Sequence, residues 1–179
     1  MKHLKFQRRT PDFLVKHSFS SILFEWGKAF CEKGLINQIK GGSLSYRHGL
    51  GFVITARDSN LGKLDEKDLI FVEEWDFSSN RFIIRGNADL PAESIFHAIV
   101  YQNRSGAIFS FFIKPFQILE MVERLGLSPS KTSELSEIEE KLSHGNIIAI
   151  QDQGILSFGC TAEDAGSQLF WNYGHIRKL

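Results

Sequence analysis

The segment from Pro91 to Phe116, PAESIFHAIVYQNRSGAIFSFFIKPF, carries the side chains best suited to chemistry. Glu93 and His97 are four residues apart, so on a helix they share one face. Lys114 follows an apolar run near the end of the segment. Glu93 could act as a general base, and the Lys114 ammonium could hold a developing oxyanion or, once desolvated, form a Schiff base with a carbonyl substrate. The simpler alternative is a salt bridge between Glu93 and Lys114 that does no chemistry.

Two predicted elements position these side chains. Pro91 suits the first turn of a helix because it lacks only an N–H that would have no partner there, and the helix dipole favours the Glu93 carboxylate in the same turn. We expect this helix to run through Tyr101. The run GAIFSFFI is almost continuously apolar, which is typical of a central strand covered on both faces. A helix therefore positions Glu93 and His97, and a buried strand positions Lys114.

The rest of the chain alternates between helix-like and strand-like patterns. Residues 11–34 place apolar side chains at helical spacing and end at a glycine. The runs GGSLSYRHGLGFVITA, LIFVEEW and RFIIRG read as strands, with a hairpin turn within HGLGF. PFQILEMVERLGL and SELSEIEEKLSHG read as amphipathic helices, NIIAIQDQGILSFG as two strands and TAEDAGSQLFWNYGHI as a last helix. The predicted class is α/β, with layers about one sheet.

Composition limits the classes of function. The chain has 179 residues, 42% of them hydrophobic, so we expect a single domain over residues 1–179 with a flexible basic arm at 1–10. Lys+Arg and Asp+Glu balance at 21 each, which argues against nucleic-acid binding. No run approaches the roughly 18 apolar residues of a membrane helix. Cys31 and Cys160 are isolated, as in reduced proteins. We therefore expect a cytoplasmic protein that contacts neither nucleic acid nor membrane.

Several distinct segments occur along the chain in the same order as in a known family. Within the opening segment, Glu93, His97, Tyr101 and Arg104 follow one another at spacings of four, four and three residues. Earlier in the chain come GSLSYR, ITARD and the leucine-rich acidic run KLDEKDLIFVEEWD. Together these segments resemble the class II aldolase/adducin family, whose members include metal-dependent sugar-phosphate aldolases and epimerases. The resemblance covers most of the chain and implies a three-layer α/β/α fold with a central mixed, mostly antiparallel sheet.

The resemblance implies that the family's metal site is lost in this sequence. In active members, a glutamate at the position of Glu93 is the acid/base beside the metal. The metal-binding His-x-His-Pro motif aligns with residues 112–115, so Phe112 and Lys114 replace two histidines, and Gln153 replaces the third. A phenyl ring has no lone pair for a metal and an ammonium only donates, whereas a catalytic zinc ion needs about three N, S or carboxylate ligands. We therefore expect a metal-free site with no cofactor.

The phosphate-binding residues implied by the resemblance are altered as well. Pro91 and Ala92 stand in place of paired serines, and Arg57 and Asp58 in place of a loop serine and glycine. A proline has no N–H to donate, and a carboxylate repels phosphate. The remaining candidates for contact with a small sugar-like ligand are Gly42, Ser43, Thr55, His97 and Gln153.

Two functions are compatible with these residues. The first is a non-catalytic or functionally diverged domain without zinc-dependent aldolase activity, a pseudoenzyme comparable in type to the adducin head domain, which serves as an interaction module. The second is a metal-free lyase or isomerase that acts on a small sugar-like carbonyl compound through Glu93 and Lys114. We favour the first, because without a metal no Lewis acid stabilises an enediolate. The resemblance also implies a homo-oligomer, with a tetramer as the first expectation.

Overall fold

The computed structural model describes residues 5–10, 18–130 and 135–171. Its strands are β1 (Lys5–Thr10), β2 (Gly42–His48), β3 (Gly51–Thr55), β4 (Leu69–Asp76), β5 (Arg81–Arg85), β6 (Phe109–Ile113), β7 (Ile147–Ile150) and β8 (Gly154–Gly159). Its helices are α1 (Ser18–Glu32), α2 (Ser94–Asn103), α3 (Ile118–Arg124), α4 (Leu135–His144) and α5 (Ala162–Trp171). Two short 3₁₀ helices, Leu61–Lys63 and Glu66–Asp68, connect β3 to β4. None of the helices in the described ranges is long and apolar enough to cross a membrane.

All eight strands form one sheet, in the order β1-β5-β4-β3-β2-β6-β8-β7. β1 pairs with β5 in parallel, and the other neighbouring strands pair antiparallel. α1 and α5 pack on one face of the sheet, and α2 and α4 pack on the other. The expected three-layer α/β/α fold with a mixed, mostly antiparallel sheet is therefore confirmed.

Strand β6 supplies core residues to both faces of the sheet. All of its residues are buried. Phe111 packs in the same cluster as Phe30 of α1, whereas Phe112 packs in the cluster of Phe96 on α2. Successive side chains of a strand point to opposite faces, so an apolar run without alternation fills both layers. Each large apolar side chain buried in this way contributes about 1.5–3 kcal/mol. The predicted central strand is confirmed.

Two glycines let the neighbouring strands approach the end of β6 closely. Gly42 on β2 has a φ of +135°, and a Cβ atom there would overlap the carbonyl oxygen of Phe112. A Cβ atom on Gly154 of β8 would overlap the carbonyl oxygen of Ile113 and lie 2.6 Å from the Phe112 ring. Glycine is needed where a backbone comes this near. β2 and β8 therefore hold the segment that leads into Lys114 from both sides.

Helix α2 begins later than the sequence pattern predicts. The residues from Pro91 to Glu93 form a turn, in which Ser94 N donates to the Pro91 carbonyl at 3.1 Å and Phe96 N donates to the Glu93 carbonyl at 2.9 Å. Glu93 is thus the N-cap residue and Ser94 the first residue of the helix. The first predicted helix is observed as α1, and residues 11–17 of that prediction lie outside the described ranges. The hairpin turn predicted within HGLGF is present between β2 and β3.

Residues 5–10 form strand β1, where the sequence led us to expect a basic arm. The side chains of residues 5–9 are exposed, so they add nothing to the core. The strand is attached instead by pairing with the open edge of β5 and by ion pairs with acidic side chains on neighbouring segments. These pairs are Arg8 with Asp89, and Arg9 with both Glu73 and Glu74. An exposed edge strand of this kind has no apolar pattern, so only its tertiary partners define it.

Candidate functional site

An ion pair between Glu93 and Lys114 lies where α2 begins and β6 ends. The Lys114 Nζ contacts the Glu93 Oε1. The Glu93 side chain is 9% exposed and the Lys114 side chain 39%. Lys114 N donates to the Gly41 carbonyl at 2.8 Å, which extends the contact between β2 and β6 past the end of the strands. The two side chains proposed for catalysis are therefore in contact, with the carboxylate inside and the ammonium at the surface.

The ring of Phe112 lies beside this pair. It is fully buried and stacks on Phe96 of α2, with 5.3 Å between ring centroids and 27° between ring planes. The Lys114 Nζ lies 6.0 Å from the Phe112 centroid, at the limit of the range for a cation–π contact. The ion pair thus rests against apolar aromatic packing.

A row of buried polar side chains connects α2 to β2 further inside. The His97 Nε2 lies 2.9 Å from the Ser43 Oγ, and its Nδ1 lies 2.7 Å from the Ser45 Oγ. The Ser45 Oγ also lies 2.8 Å from the Tyr101 hydroxyl and 3.1 Å from the Ser110 carbonyl oxygen. The serines alternate along the strand, and His97 and Tyr101 are one helical turn apart, so both sets face the same contact. We call these side chains, Ser43, Ser45, His97 and Tyr101, the polar row.

Burial keeps both titratable members of the polar row uncharged at neutral pH. Desolvation lowers the pKa of His97 to about 3, although the Ser110 carbonyl opposes this shift. Desolvation also raises the pKa of the Tyr101 phenol, against the opposing effects of Ser45 and Arg47. His97 is consequently a weak base in the folded protein.

Three members of the polar row have the connectivity of a nucleophile, a base and an orienting residue: Ser43, His97 and Ser45. Their surroundings argue against that chemistry. All three are fully buried, so a substrate has no path to the Ser43 hydroxyl in this structure. A base must also have a pKa near the working pH, and burial moves the pKa of His97 far below it. We interpret the polar row as part of the core.

The other predicted ligand-binding residues lie at the end of the sheet where β3 and β6 finish and where β2 and β8 start. Gly42 is half-buried at the start of β2. Thr55 is fully buried, and its Oγ1 accepts a hydrogen bond from Leu44 N at 3.1 Å. Gln153 is half-buried in the turn between β7 and β8, where its N–H donates to the Ile150 carbonyl at 3.1 Å. The structure therefore brings Ser43 to His97 and Glu93 to Lys114, while ligand binding by these residues stays a prediction.

The sequence reasoning assigned no role to Ser45 and Arg47. The Arg47 Nε donates to the Ala107 carbonyl, and its Nη2 donates to the carbonyls of Tyr101 and Arg104, all at 2.9 Å. Arg47 thus binds carbonyls at the C-terminal end of α2, as basic side chains often do. Alternation of polar residues in SLSYR could have indicated a polar strand face. It could not have identified the partners, which are 52 to 65 residues away.

Solved structures of several known proteins share this architecture. YgbL from Escherichia coli superposes with a TM-score of 0.72 and 14% sequence identity over 90% of this chain and 88% of that chain. L-fuculose-1-phosphate aldolase from Thermus thermophilus gives a TM-score of 0.62 and 20% identity over 88% of this chain and 94% of that chain. The N-terminal class II aldolase domain of a Thermoplasma acidophilum protein superposes with a TM-score of 0.64 and 14% sequence identity, over 96% of this chain and 99% of that chain. The chain has the class II aldolase fold.

Similarity at this level of identity defines the architecture of the class II aldolase fold and leaves its chemistry open. No protein-family model and no curated protein matches the sequence. The chemistry therefore has to be argued from the side chains at the site.

The side chains at the position implied for the metal do not fit a divalent ion. Phe112 offers no lone pair, and the Lys114 ammonium already places a positive charge against Glu93. Within the part of the chain that the structure describes, no three His, Cys, Asp or Glu side chains are grouped closely enough to hold a metal ion. The class II aldolase fold is thus present here with an aromatic ring and an ammonium where ligands would be needed.

Because His97 is buried in its neutral form, we expect acid to destabilise the fold. Its pKa is about 3 in the folded protein, against an ordinary value near 6.5, so the unfolded chain binds more protons between these values. The contribution of neutral His97 to stability is fully present above the pKa that His97 has in the unfolded chain. It is lost as the pH falls toward the pKa of about 3 that His97 has in the folded protein. Each pH unit in this window should remove on the order of 1.4 kcal/mol from the free energy of unfolding.

Urea unfolding at a series of pH values checks this prediction. The His97→Asn variant should show a pH dependence that is shallower by about one proton in this window. The control is His144→Asn, which removes an exposed histidine at the end of α4 and should follow the wild type. Equal slopes for all three proteins would show that His97 is not the group that titrates.

Proposed function

We propose that the chain is a non-catalytic or functionally diverged class II aldolase-like domain, without zinc-dependent aldolase activity, that spans residues 1–179. The observation that carries this proposal is the contact of the Lys114 ammonium with Glu93 beside the buried ring of Phe112. The Glu93 carboxylate already has a cationic partner, so it is not presented as a free group to a ligand. The residue best placed for acid–base work is therefore held in a satisfied pair.

An ammonium does not replace a metal ion as a stabiliser of an enediolate. Stabilising an enediolate by a metal ion lowers a barrier by several kcal/mol, because the ion accepts electron pairs from the developing oxyanion. An ammonium carries one charge and can only donate hydrogen bonds. The Phe112 ring adds apolar contacts but no ligand. An interaction module with a stable aldolase-type core is the function that these side chains support best.

Zinc affinity tests the proposal directly. Calorimetric titration of the untagged protein should show no zinc binding at micromolar concentration, and elemental analysis should find no stoichiometric metal. Ketose 1-phosphates should not be cleaved at a rate above that of the buffer. Glu93→Ala and Lys114→Ala serve as matched variants, since each removes one partner of the ion pair. A stoichiometric metal that disappears in Glu93→Ala would overturn the proposal and restore an aldolase-type mechanism.

The exposed part of Lys114 supports a second candidate, a metal-free lyase or isomerase acting on a small sugar-like carbonyl compound. Its side chain is 39% exposed while Glu93 remains close at 9%, so a ligand can approach the ammonium without first entering the core. Lys114 would then stabilise an oxyanion as the ammonium or, after passing a proton to Glu93, attack the carbonyl carbon as the neutral amine and form a Schiff base with release of water. Gly42, Ser43, Thr55, His97 and Gln153 remain the proposed ligand-binding residues. Gly42 and Gln153 are half-buried, whereas Ser43, Thr55 and His97 are fully buried and would contact a ligand only if this end of the sheet opened.

Reductive trapping distinguishes the two candidates. Under the first proposal, borohydride with a panel of small ketones and aldehydes should leave Lys114 unmodified by mass spectrometry. Lys141 is a suitable internal reference, because it is also paired with a glutamate, at 3.4 Å from Glu137, and is 29% exposed. An adduct on Lys114 that exceeds the one on Lys141 and vanishes in Lys114→Arg would favour the enzyme instead.

A homo-oligomer, with a tetramer as the first expectation, is proposed as the assembly. Large apolar side chains are exposed on the two segments adjoining Lys114, where Ile39 is 50%, Phe116 65% and Leu119 79% exposed. Covering such side chains would be favourable. Localisation is proposed to be cytoplasmic, in keeping with the unpaired Cys31 and Cys160.

Light scattering after gel filtration checks the assembly. The wild type should elute as a multimer at micromolar concentration, and Leu119→Glu should lower its mass. Leu50→Glu is the control, because Leu50 is 95% exposed but lies at the tip of the β2-β3 hairpin. A strictly monomeric wild type would contradict the proposed assembly.

A further inference from the structure

The Ser45 hydroxyl has three polar neighbours, and their chemistry restricts where its single proton can go. The neighbours are the His97 Nδ1 at 2.7 Å, the Tyr101 hydroxyl at 2.8 Å and the Ser110 carbonyl oxygen at 3.1 Å. A serine hydroxyl donates one hydrogen bond and accepts two, whereas a carbonyl oxygen only accepts. All three contacts are satisfied together only if Ser45 donates to the Ser110 carbonyl and accepts from both His97 and Tyr101.

This assignment fixes the tautomer of His97. If Nδ1 donates to Ser45, the proton of the neutral ring is on Nδ1, and Nε2 carries a lone pair. The Ser43 Oγ, 2.9 Å from Nε2, must then donate its proton to the ring. Every hydrogen of the polar row is used in this arrangement, with the Tyr101 hydroxyl donating to Ser45 at 2.8 Å rather than to the more distant Ile108 carbonyl at 3.4 Å.

The opposite tautomer satisfies fewer groups. Ser45 would have to donate to Nδ1, so its bond to the Ser110 carbonyl would be lost. Nε2 would donate to Ser43, and the Ser43 proton would need another acceptor in a fully buried position. Leaving a buried polar group unpaired costs more than an ordinary hydrogen bond gains. The hydrogen-bond count therefore favours the Nδ1–H form.

We propose that His97 is a positioning residue, held by Ser45 as the neutral Nδ1–H tautomer, and that it makes Ser43 a hydrogen-bond acceptor only. The charged groups next to the polar row along the chain or across the sheet are Glu93 at the N-cap of α2, Lys114 after β6 and Arg47, whose guanidinium lies 4.9 Å from the centroid of the Tyr101 ring. Glu93 lies one helical turn before His97, and Ser43 pairs in register with Phe112, two residues before Lys114. The same hydrogen bonds that select the tautomer therefore set the position of the ion pair.

The proposal gives Ser43 a defined chemical role. Its proton is used by His97, so it has none to donate to a bound anion. A group placed against the Ser43 oxygen would have to be a donor. The inference stands whether or not the site retains any catalysis, because it depends only on the contacts of the polar row.

Nitrogen NMR of the full chain labelled with ¹⁵N-histidine tests the tautomer without any mutation. Long-range correlation spectra should show a protonated Nδ1 and an unprotonated Nε2 for His97, identified by the signal missing in His97→Asn. A protonated Nε2 in the wild type would overturn the proposal.

A matched pair of variants tests the role of Ser45. Ser45 and Ser110 are register partners on β2 and β6 and are both fully buried, but the Ser110 hydroxyl has no hydrogen-bond partner in the described part of the chain. In samples labelled with both ¹⁵N-histidine and ¹⁵N-lysine, Ser110→Ala should keep the His97 spectrum and the Lys114 Nζ signal of the wild type. Ser45→Ala should populate the Nε2–H form of His97 and shift the Lys114 Nζ signal. Ser45→Thr, which keeps a hydroxyl, should show the wild-type His97 tautomer and the wild-type Lys114 signal.

The outcomes separate positioning from simple packing. Equal changes in Ser45→Ala and Ser110→Ala would mean that any lost hydroxyl disturbs this region, which contradicts a specific role for Ser45. If Ser45→Ala does not fold, the wild-type tautomer and the Ser45→Thr spectrum still decide the proposal, since a threonine that fails to preserve Nδ1–H contradicts it.

Discussion

The contact between α2 and β2 depends on groups that must stay uncharged and fully paired. Two serines on the strand and a histidine and a tyrosine on the helix meet in the buried interior, where an unpaired polar atom costs more than a paired one gains. Such a contact adds little net stability but allows only one register, because a shift of either element by one residue would leave several groups unpaired. The apolar packing on either side tolerates small shifts far better.

The ion pair of Glu93 and Lys114 follows from that register. With α2 held in place, its first turn faces the end of β6, and the ammonium of Lys114 reaches the buried carboxylate. A tethered ammonium is always present, whereas a metal ion has to be captured from solution and requires ligands that are deprotonated and correctly spaced. The carboxylate is thus neutralised by the chain itself. Phe112, which is fully buried, adds apolar packing to the same region.

The sequence predicted the parts of the fold that repeat with a simple period. The apolar run of β6, the helix that follows Glu93 and carries His97, and the turn between β2 and β3 were recognisable because neighbouring residues determine them. β1 was missed because a polar edge strand has no apolar pattern and is defined by β5 and by acidic partners. The bonds of Ser45 and Arg47 were missed for a related reason: their partners are on distant segments that only the folded chain brings near.

The class II aldolase fold at 14 to 20% identity shows how far architecture and chemistry can separate. The sheet and its two helical layers are specified by many weak apolar contacts, which tolerate substitution when volume and pattern are kept. A metal site is specified by about three ligands, and losing one imidazole removes much of its affinity. Far fewer substitutions are therefore needed to abolish the chemistry of a metal site than to abolish a fold. In this chain the buried Glu93 carboxylate contacts the ammonium of Lys114, so the fold keeps an acidic residue in place with a counter-charge that the sequence itself supplies.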